Sequence, residues 1–259
     1  VLTAIVKTPT HRLVDACELT FLDRVSMDFD LLLAQHAAYR EALARAGADV
    51  ITLDASPDLA DSVFVEDTAV LLDEVAILTR PGAPSRRSEP AYIEPTLAGR
   101  RRLDRIRAPG TLEGGDVLRV GRVLFVGVST RTNAEGIRQL ERIGQPLGYT
   151  VTPVRVSGSL HLKTACTALD AQTVLLNPHW IDPEPFHGSN RLAVPPDEPF
   201  GANVLPISRS LMVNEAFPRT LDLIAGHCHT TGGEMISVNI SEFAKAEAGL
   251  TCLSLLLDE

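Results

Sequence analysis

The 259-residue chain carries 24 lysines and arginines against 33 aspartates and glutamates, a formal net charge of −9, and 45% of its residues are hydrophobic. That length and apolar content suffice for a substantial core in one large domain, whereas the acidic balance disfavours a nucleic-acid partner and mildly suits a small cationic substrate. No apolar stretch approaches the roughly 20 residues a membrane helix needs, and Lys7, Pro9, His11 and Arg12 interrupt the N-terminal segment before a signal-peptide core develops, so a cytoplasmic protein without a membrane partner is expected.

In chain order, residues 1–6 are rich in β-formers and Pro9 closes a first strand. Asp30 stands where it can cap a helix whose inward positions Leu32, His36, Tyr39, Leu43 and Ala46 follow a 4, 3, 4, 3 spacing, with Gly47 placed to end it. A strand at 49–53 follows, then a turn. Residues 62–72 and 75–79 flank Asp73-Glu74 as a hairpin that ends at Pro81-Gly82. Pro90 and Pro95 bend a helix within 89–105, whose basic end at Arg100, Arg101, Arg102 and Arg105 reads as a solvated face.

A second hairpin spans 117–128 and turns at Gly121-Arg122, after which Thr132 and Glu135 have capping-box spacing for a helix burying Ile137, Leu140 and Ile143. Strands are expected at 150–156, 160–167 and 173–176, and the proline-rich segment 178–199 reads as a long surface loop. Strands at 203–207 and 210–213, a helix starting near Pro218, and strands at 235–239 and 251–257 complete the chain.

The strand-strand-helix-strand grouping recurs. Comparable polar or reactive residues, Glu66, Glu113, His161, Asn203 and Cys252, stand at the leading ends of successive hairpins at intervals of 47, 48, 42 and 49. Five such units, the last completed by the N-terminal strand, suggest radial repetition of small sheets around a channel, which would bring residues distant in sequence to one axis.

Among candidate reactive groups, Cys17, Cys166, Cys228 and Cys252 lie far apart with no Cys-x-x-Cys pair, which suits free thiols in a reducing compartment. Alone, Cys252 reads as a small core hydrophobe at the mouth of an apolar run. Asp61, Glu66 and Asp67 crowd acids onto an otherwise apolar stretch, which repel one another unless a cation such as a guanidinium sits among them. Glu113 precedes a Gly-Gly turn and His161 opens a strand, in register with Cys252. A carboxylate, an imidazole and a thiol at successive repeats suit a base-orienter, an acid/base and a nucleophile. Arg86 and Arg131 follow hairpins and each can clamp a carboxylate in bidentate fashion. His227 and His229 would share one face of a strand with Cys228 on the other, so no metal site is expected there.

Several of these segments together resemble one family. Phe64-Val65-Glu66-Asp67, Thr79-Arg80-Pro81-Gly82-Ala83 with Ser85-Arg86-Arg87, Glu113-Gly114-Gly115-Asp116, Arg131-Thr132-Asn133-Ala134-Glu135-Gly136, Leu160-His161-Leu162-Lys163-Thr164 and Thr251-Cys252-Leu253-Ser254-Leu255 are similar, in order and over nearly the whole chain, to dimethylarginine dimethylaminohydrolases. The resemblance implies an α/β fold of the pentein kind, a five-bladed α/β propeller of repeated ββαβ units with pseudo-five-fold symmetry, formed by residues 1–259 as a single catalytic domain. It further implies Cys252 as nucleophile, His161 as acid/base and Glu113 as its partner, with Glu66 and Asp67 on the guanidinium, Asp61 near the α-amine, and Arg86 and Arg131 on the carboxylate.

Backbone contacts to the amine would fall near Cys17 and Ala246, and Ala248-Gly249 departs from the family's usual Gly-Gly. The implied reaction converts N-omega-methylated arginines to citrulline and an amine through a covalent thiouronium, without cofactor or metal, in a monomer or homodimer. Arginine deiminase chemistry on the same residues is the nearest alternative, and a non-catalytic pentein binding protein a more distant one.

Overall fold

Fifteen strands, each three to six residues long, form the framework of the computed structural model, which describes residues 1–258. They are β1 (Leu2–Lys7), β2 (Asp49–Leu53), β3 (Ala69–Leu71), β4 (Val75–Leu78), β5 (Arg102–Arg105), β6 (Val117–Val120), β7 (Val123–Val128), β8 (Thr150–Arg155), β9 (Cys166–Ala168), β10 (Thr173–Leu176), β11 (Asn190–Ala193), β12 (Leu205–Ile207), β13 (Ser210–Asn214), β14 (Glu234–Val238) and β15 (Leu255–Asp258). The described strands assort into five three-stranded sheets, in the orders β15-β1-β2, β3-β4-β5, β6-β7-β8, β9-β10-β11 and β12-β13-β14. In every sheet the middle strand is antiparallel to one neighbour and parallel to the other.

That pattern has a covalent reason. A tight hairpin joins antiparallel neighbours, whereas a parallel neighbour needs a crossover, usually helical. Here β3–β4, β6–β7 and β12–β13 are joined by short turns, while helices α2 (Phe29–Arg45), α3 (Pro90–Ala98), α4 (Ala134–Gly144) and α6 (Pro218–Thr231) make the crossovers to β2, β5, β8 and β14. The closed five-bladed propeller is corrected. The sheets are mixed and separate, and no ladder carries one into the next, so the arrangement is pentein-like α/β and not a closed ring. Residue spacing counts repeated units along a chain but does not fix whether their edges hydrogen-bond to one another. Neighbouring sheets meet by side-chain packing instead, β3 beside β15 and β6 beside β9.

Other departures from the sequence reading are local. Asp28, not Asp30, caps α2 by accepting the Leu31 amide, because its extended backbone turns the carboxylate onto the first turn. Asn133 caps α4 by accepting the Gly136 amide in place of Thr132. The basic residues assigned to a helix end lie in and before β5, which is half-buried against β4. The loop 178–199 contains β11, paired with β10. His227, Cys228 and His229 lie on α6, a helix and not a strand.

Four of the five leading strands are preceded by a single helical turn: Val65–Thr68 before β3, Gly114–Asp116 before β6, Leu162–Ala165 (α5, with Arg12–Ala16 as α1) before β9, and Thr251–Leu253 before β15. Such a turn lifts polar side chains off the ladder end while the strand behind it stays apolar. The core of α2 secures the last of these turns, since the fully buried Tyr39 donates its hydroxyl to the Leu250 carbonyl at 2.8 Å and lies 2.8 Å from Ser254 Oγ. Tyr39→Phe leaves that carbonyl without its donor and is expected to lower unfolding free energy by about 1–3 kcal/mol, read from the denaturant midpoint at unchanged slope.

Candidate active site

Cys252, His161, Asp67, Asp61, Arg86, Arg131 and Ala246 line one narrow cavity, together with Glu18, Phe64, Leu160, Glu247 and Ala248. Its volume of about 20 Å³ leaves room for roughly one water. Cys252 sits in the turn before β15 with its Sγ accepting the Gly249 amide at 3.4 Å. His161 flanks the start of α5, and its Nε2 lies 2.6 Å from Glu113 Oε2 and 3.8 Å from Asp67 Oδ1. Glu113 is wholly buried, its other oxygen accepting the Gly82 amide at 2.9 Å with Arg131 Nη1 3.6 Å away.

Gly115 lets these groups converge. A β-carbon there would stand 2.7 Å from His161 Nδ1 and 2.8 Å from Asp67 Oδ1, so a glycine at 115 makes room for the imidazole, while one on Gly114 would meet the Glu66 carbonyl instead. The Gly115 amide also donates to Asp67 Oδ1 at 2.9 Å.

The electrostatics follow from burial and neighbours. Burial drives the His161 pKa down, but Asp67, the Glu113 hydrogen bond and the charges of Asp116 and Glu113 outweigh it and lift the value to about 9. Burial raises Glu113, yet His161, Arg86 and Arg131 hold it down to about 2. Burial pushes the Cys252 thiol well up, and the charges of Glu66 and Asp67 add to the effect. At neutral pH the site therefore holds an imidazolium, carboxylates and a protonated thiol. Burial likewise lifts Asp61 to about 6, against Arg86 and the Glu18 amide.

The remaining candidates divide. Arg86 is buried with Nη1 2.7 Å from Asp67 Oδ2, Nε and Nη2 on Glu89, and Nη2 also donating to the Phe64 carbonyl at 3.2 Å, so it braces Asp67 from behind. Arg131 Nη1 is buried without a hydrogen-bond acceptor, leaving a donor beside the cavity. Asp61 receives the Glu18 amide on both oxygens.

Glu66 does not join the cavity of Cys252. Its Oε1 pairs with Lys163 Nζ at 2.6 Å and its Oε2 accepts the Thr251 hydroxyl at 2.8 Å, on a larger cavity of about 420 Å³ behind the turn that carries Cys252. The Cys17 carbonyl is taken by Arg24 Nη2 at 2.6 Å, and Cys17 is not among the cavity's lining residues. Glu247 was missed from sequence: one of its oxygens accepts the amides of Thr20, Phe21 and Leu22 at 2.8, 2.5 and 2.7 Å, fastening residues 20–22 over the site. No spacing marks that acid, because its partners are backbone amides more than two hundred residues away. Asp67, Glu113 and His161 bring one possible ligand atom each within 4.8 Å of one another, and here the two carboxylates face the imidazole itself.

A family model described as arginine deiminase matches residues 55–194. The N(G),N(G)-dimethylarginine dimethylaminohydrolase of Streptomyces coelicolor is 42% identical over 262 residues, covering 99% of this chain and 97% of that protein. The protein of the same name from Pseudomonas aeruginosa is 36% identical over 253 residues, with 97% of each covered. Among solved structures, a cysteine-to-serine mutant of the Pseudomonas aeruginosa enzyme complexed with citrulline superposes with a TM-score of 0.90 at 35% identity, covering 98% of both chains.

Removing Arg86 strands the buried carboxylates of Asp67 and Glu89. Arg86→Ala is expected to destabilise the fold by about 3–5 kcal/mol, the usual result of breaking a buried ion pair from one side, measured by chemical denaturation.

Proposed function

The chain belongs to the dimethylarginine dimethylaminohydrolase family, and on that premise we propose that it hydrolyses N-omega-methylated arginines to citrulline and dimethylamine or methylamine. It is a hydrolase of linear amidines and not the non-catalytic binding protein weighed from sequence. The observation that carries the reading is that Cys252 and His161 line one cavity with Asp67, while Glu113 holds the imidazole at 2.6 Å.

The chemistry follows from those states. A guanidinium carbon is a poor electrophile because its charge is delocalised, so the cation must be held still while sulfur is brought against it. Asp67 supplies the anchoring charge, with Glu66 contributing from beneath the nucleophile turn. Arg131, which lines the cavity with Nη1 3.6 Å from Glu113, faces the substrate carboxylate, Arg86 acts through Asp67 because its donors are taken by Asp67 and Glu89, and Asp61 with the backbone near Ala246 faces the α-amine.

The arriving cation offsets the carboxylates that hold the thiol protonated, so as substrate binds the thiol gives up its proton to solvent and the thiolate forms while His161 stays protonated. Sulfur adds to the guanidino carbon, His161 gives its proton to the departing nitrogen, and the C–N bond breaks to leave an S-alkylthiouronium on Cys252. Neutral His161 then takes a proton from water, hydroxide adds at the same carbon, and the C–S bond breaks to release citrulline.

A second reading, arginine as substrate with ammonia leaving, is favoured by the arginine deiminase model over residues 55–194. The proposed setting is cytoplasmic, as a monomer or homodimer without nucleic acid; among the described residues no helix is long and apolar enough to cross a membrane.

Citrulline release from asymmetric dimethylarginine, monomethylarginine and arginine separates the two readings: the methylated substrates should give the higher kcat/KM, and a preference for arginine reverses the assignment. Cys252→Ser should cut turnover at least roughly a hundredfold, the loss of a covalent nucleophile. Because the thiol pKa is raised in the free protein, alkylation of Cys252 by neutral iodoacetamide should be slow at pH 7 and climb with pH, whereas a cationic haloacetamidine should label it rapidly at pH 7. Equal rates for the two reagents at pH 7 would sink the substrate-assisted step.

A further inference from the structure

Asp116 ends the Glu113-Gly114-Gly115-Asp116 segment, is fully buried, and takes no part in the mechanism above. Its Oδ1 accepts the amide of Leu162, the residue after His161, at 3.0 Å, and its Oδ2 accepts the Ser129 hydroxyl at 2.6 Å. Ser129 Oγ in turn accepts the amides of Arg131 at 3.0 Å and Thr132 at 3.2 Å. The Thr132 hydroxyl then accepts the Glu113 amide at 3.2 Å. The path returns to the partner of His161, so the imidazole, its carboxylate and the Arg131 loop all hang from one side chain. A β-carbon on Gly127 would lie 2.4 Å from Asp116 Oδ1, so the carboxylate lies flush against β7.

A buried neutral acceptor would receive the same two bonds at less cost, since desolvating a charge is far more expensive than desolvating an amide. Burial does push the Asp116 pKa up, and the charge of His161 leads the opposing influences, ahead of its bonds from Ser129, Thr132 and Leu162. Asp116 in turn is among the groups that raise the His161 pKa, which adds an electrostatic coupling to the geometric one. We propose that Asp116 is a positioning residue that sets His161 and, through Ser129, the Arg131 loop in one register, while its charge helps keep the imidazole protonated for the departing amine. The proposal rests on reading His161 as the acid/base, and its charge component acts beside other groups that face the same ring: Asp67 and Glu113 in contact, Arg86 behind Asp67, Arg131 behind Glu113, and Cys252 across the cavity.

The test combines histidine NMR titration of the substrate-free protein with steady-state citrulline release, for wild type, Asp116→Asn and Ser129→Ala. The His161 resonance is assigned by its loss in His161→Asn. Asp116→Asn keeps an acceptor for the Leu162 amide but removes the charge. It should titrate His161 at lower pH by roughly one unit, as loss of a nearby opposite charge requires. Its kcat should fall roughly ten- to a hundredfold at nearly constant KM, at or below the lower end of what a positioned acid contributes.

Ser129→Ala removes the hydroxyl that joins Asp116 to the amides of Arg131 and Thr132 but leaves the Asp116 side chain in place. It should raise KM by about threefold or more while moving the His161 titration less than Asp116→Asn does, a loss of binding felt equally in ground and transition states. An unshifted His161 titration in a folded Asp116→Asn protein overturns the charge role, and an unaltered KM in Ser129→Ala overturns the register role. Should Asp116→Asn fail to fold, Ser129→Ala decides alone: a raised KM at unchanged Tm keeps Asp116 as the positioning residue, and an unchanged KM returns it to the core. Absence of turnover in wild type would instead count against the proposed reaction, and the NMR titration would still decide for or against Asp116.

Discussion

A dry contact between one imidazole and two carboxylates governs this molecule. Glu113 meets His161 at 2.6 Å with no exposed surface of its own, and Asp67 stands 3.8 Å from the same nitrogen. Charges removed from water persist only where each has a partner and its remaining lone pairs are filled. The surrounding contacts answer that requirement: the Gly82 and Gly115 amides fill carboxylate lone pairs, and Arg86 pairs with Asp67 from behind. Arg86 is itself matched by Glu89, so the balance extends outward through a second buried layer.

Architecture makes this possible without a long polar segment in the core. Each contributing acid, base or thiol lies on or beside a helical turn that precedes a short, apolar strand, so one or two polar side chains per unit face inward while the strand behind them packs normally. Five sheets held by packing and not by a continuous ladder leave the turns free to converge, with only the glycines at tight approaches restricting them.

Much of this arrangement is legible in the sequence. The near-constant interval linking Glu66, Glu113, His161, Asn203 and Cys252 marks equivalent places in successive units, and those residues do stand before leading strands. What spacing does not encode is direction. Glu66 and Asp67 are adjacent, yet the turn that carries them sends one toward Lys163 and Thr251 and the other toward His161, and a pattern of acids reads the same either way. Closure of the sheets was misjudged for a related reason, since edge pairing depends on how neighbouring units tilt, which no periodicity reports. Asp28 displaced Asp30 as a cap, and Glu247 stayed hidden, because both act on backbone amides whose positions exist only after folding.

The raised thiol pKa gives the acidic lining a second consequence. Glu66 and Asp67 lift Cys252 while a cation is absent, and the same field attracts a cation and is offset by it. A neutral molecule entering the cavity relieves none of that repulsion and meets a protonated, weakly nucleophilic sulfur. On the proposed reading a guanidinium relieves it and meets a thiolate. Selection for cationic substrates and protection of the thiol from adventitious chemistry are then one electrostatic effect, which persists because Arg86 is shared between Asp67 and Glu89 and offsets only part of their charge.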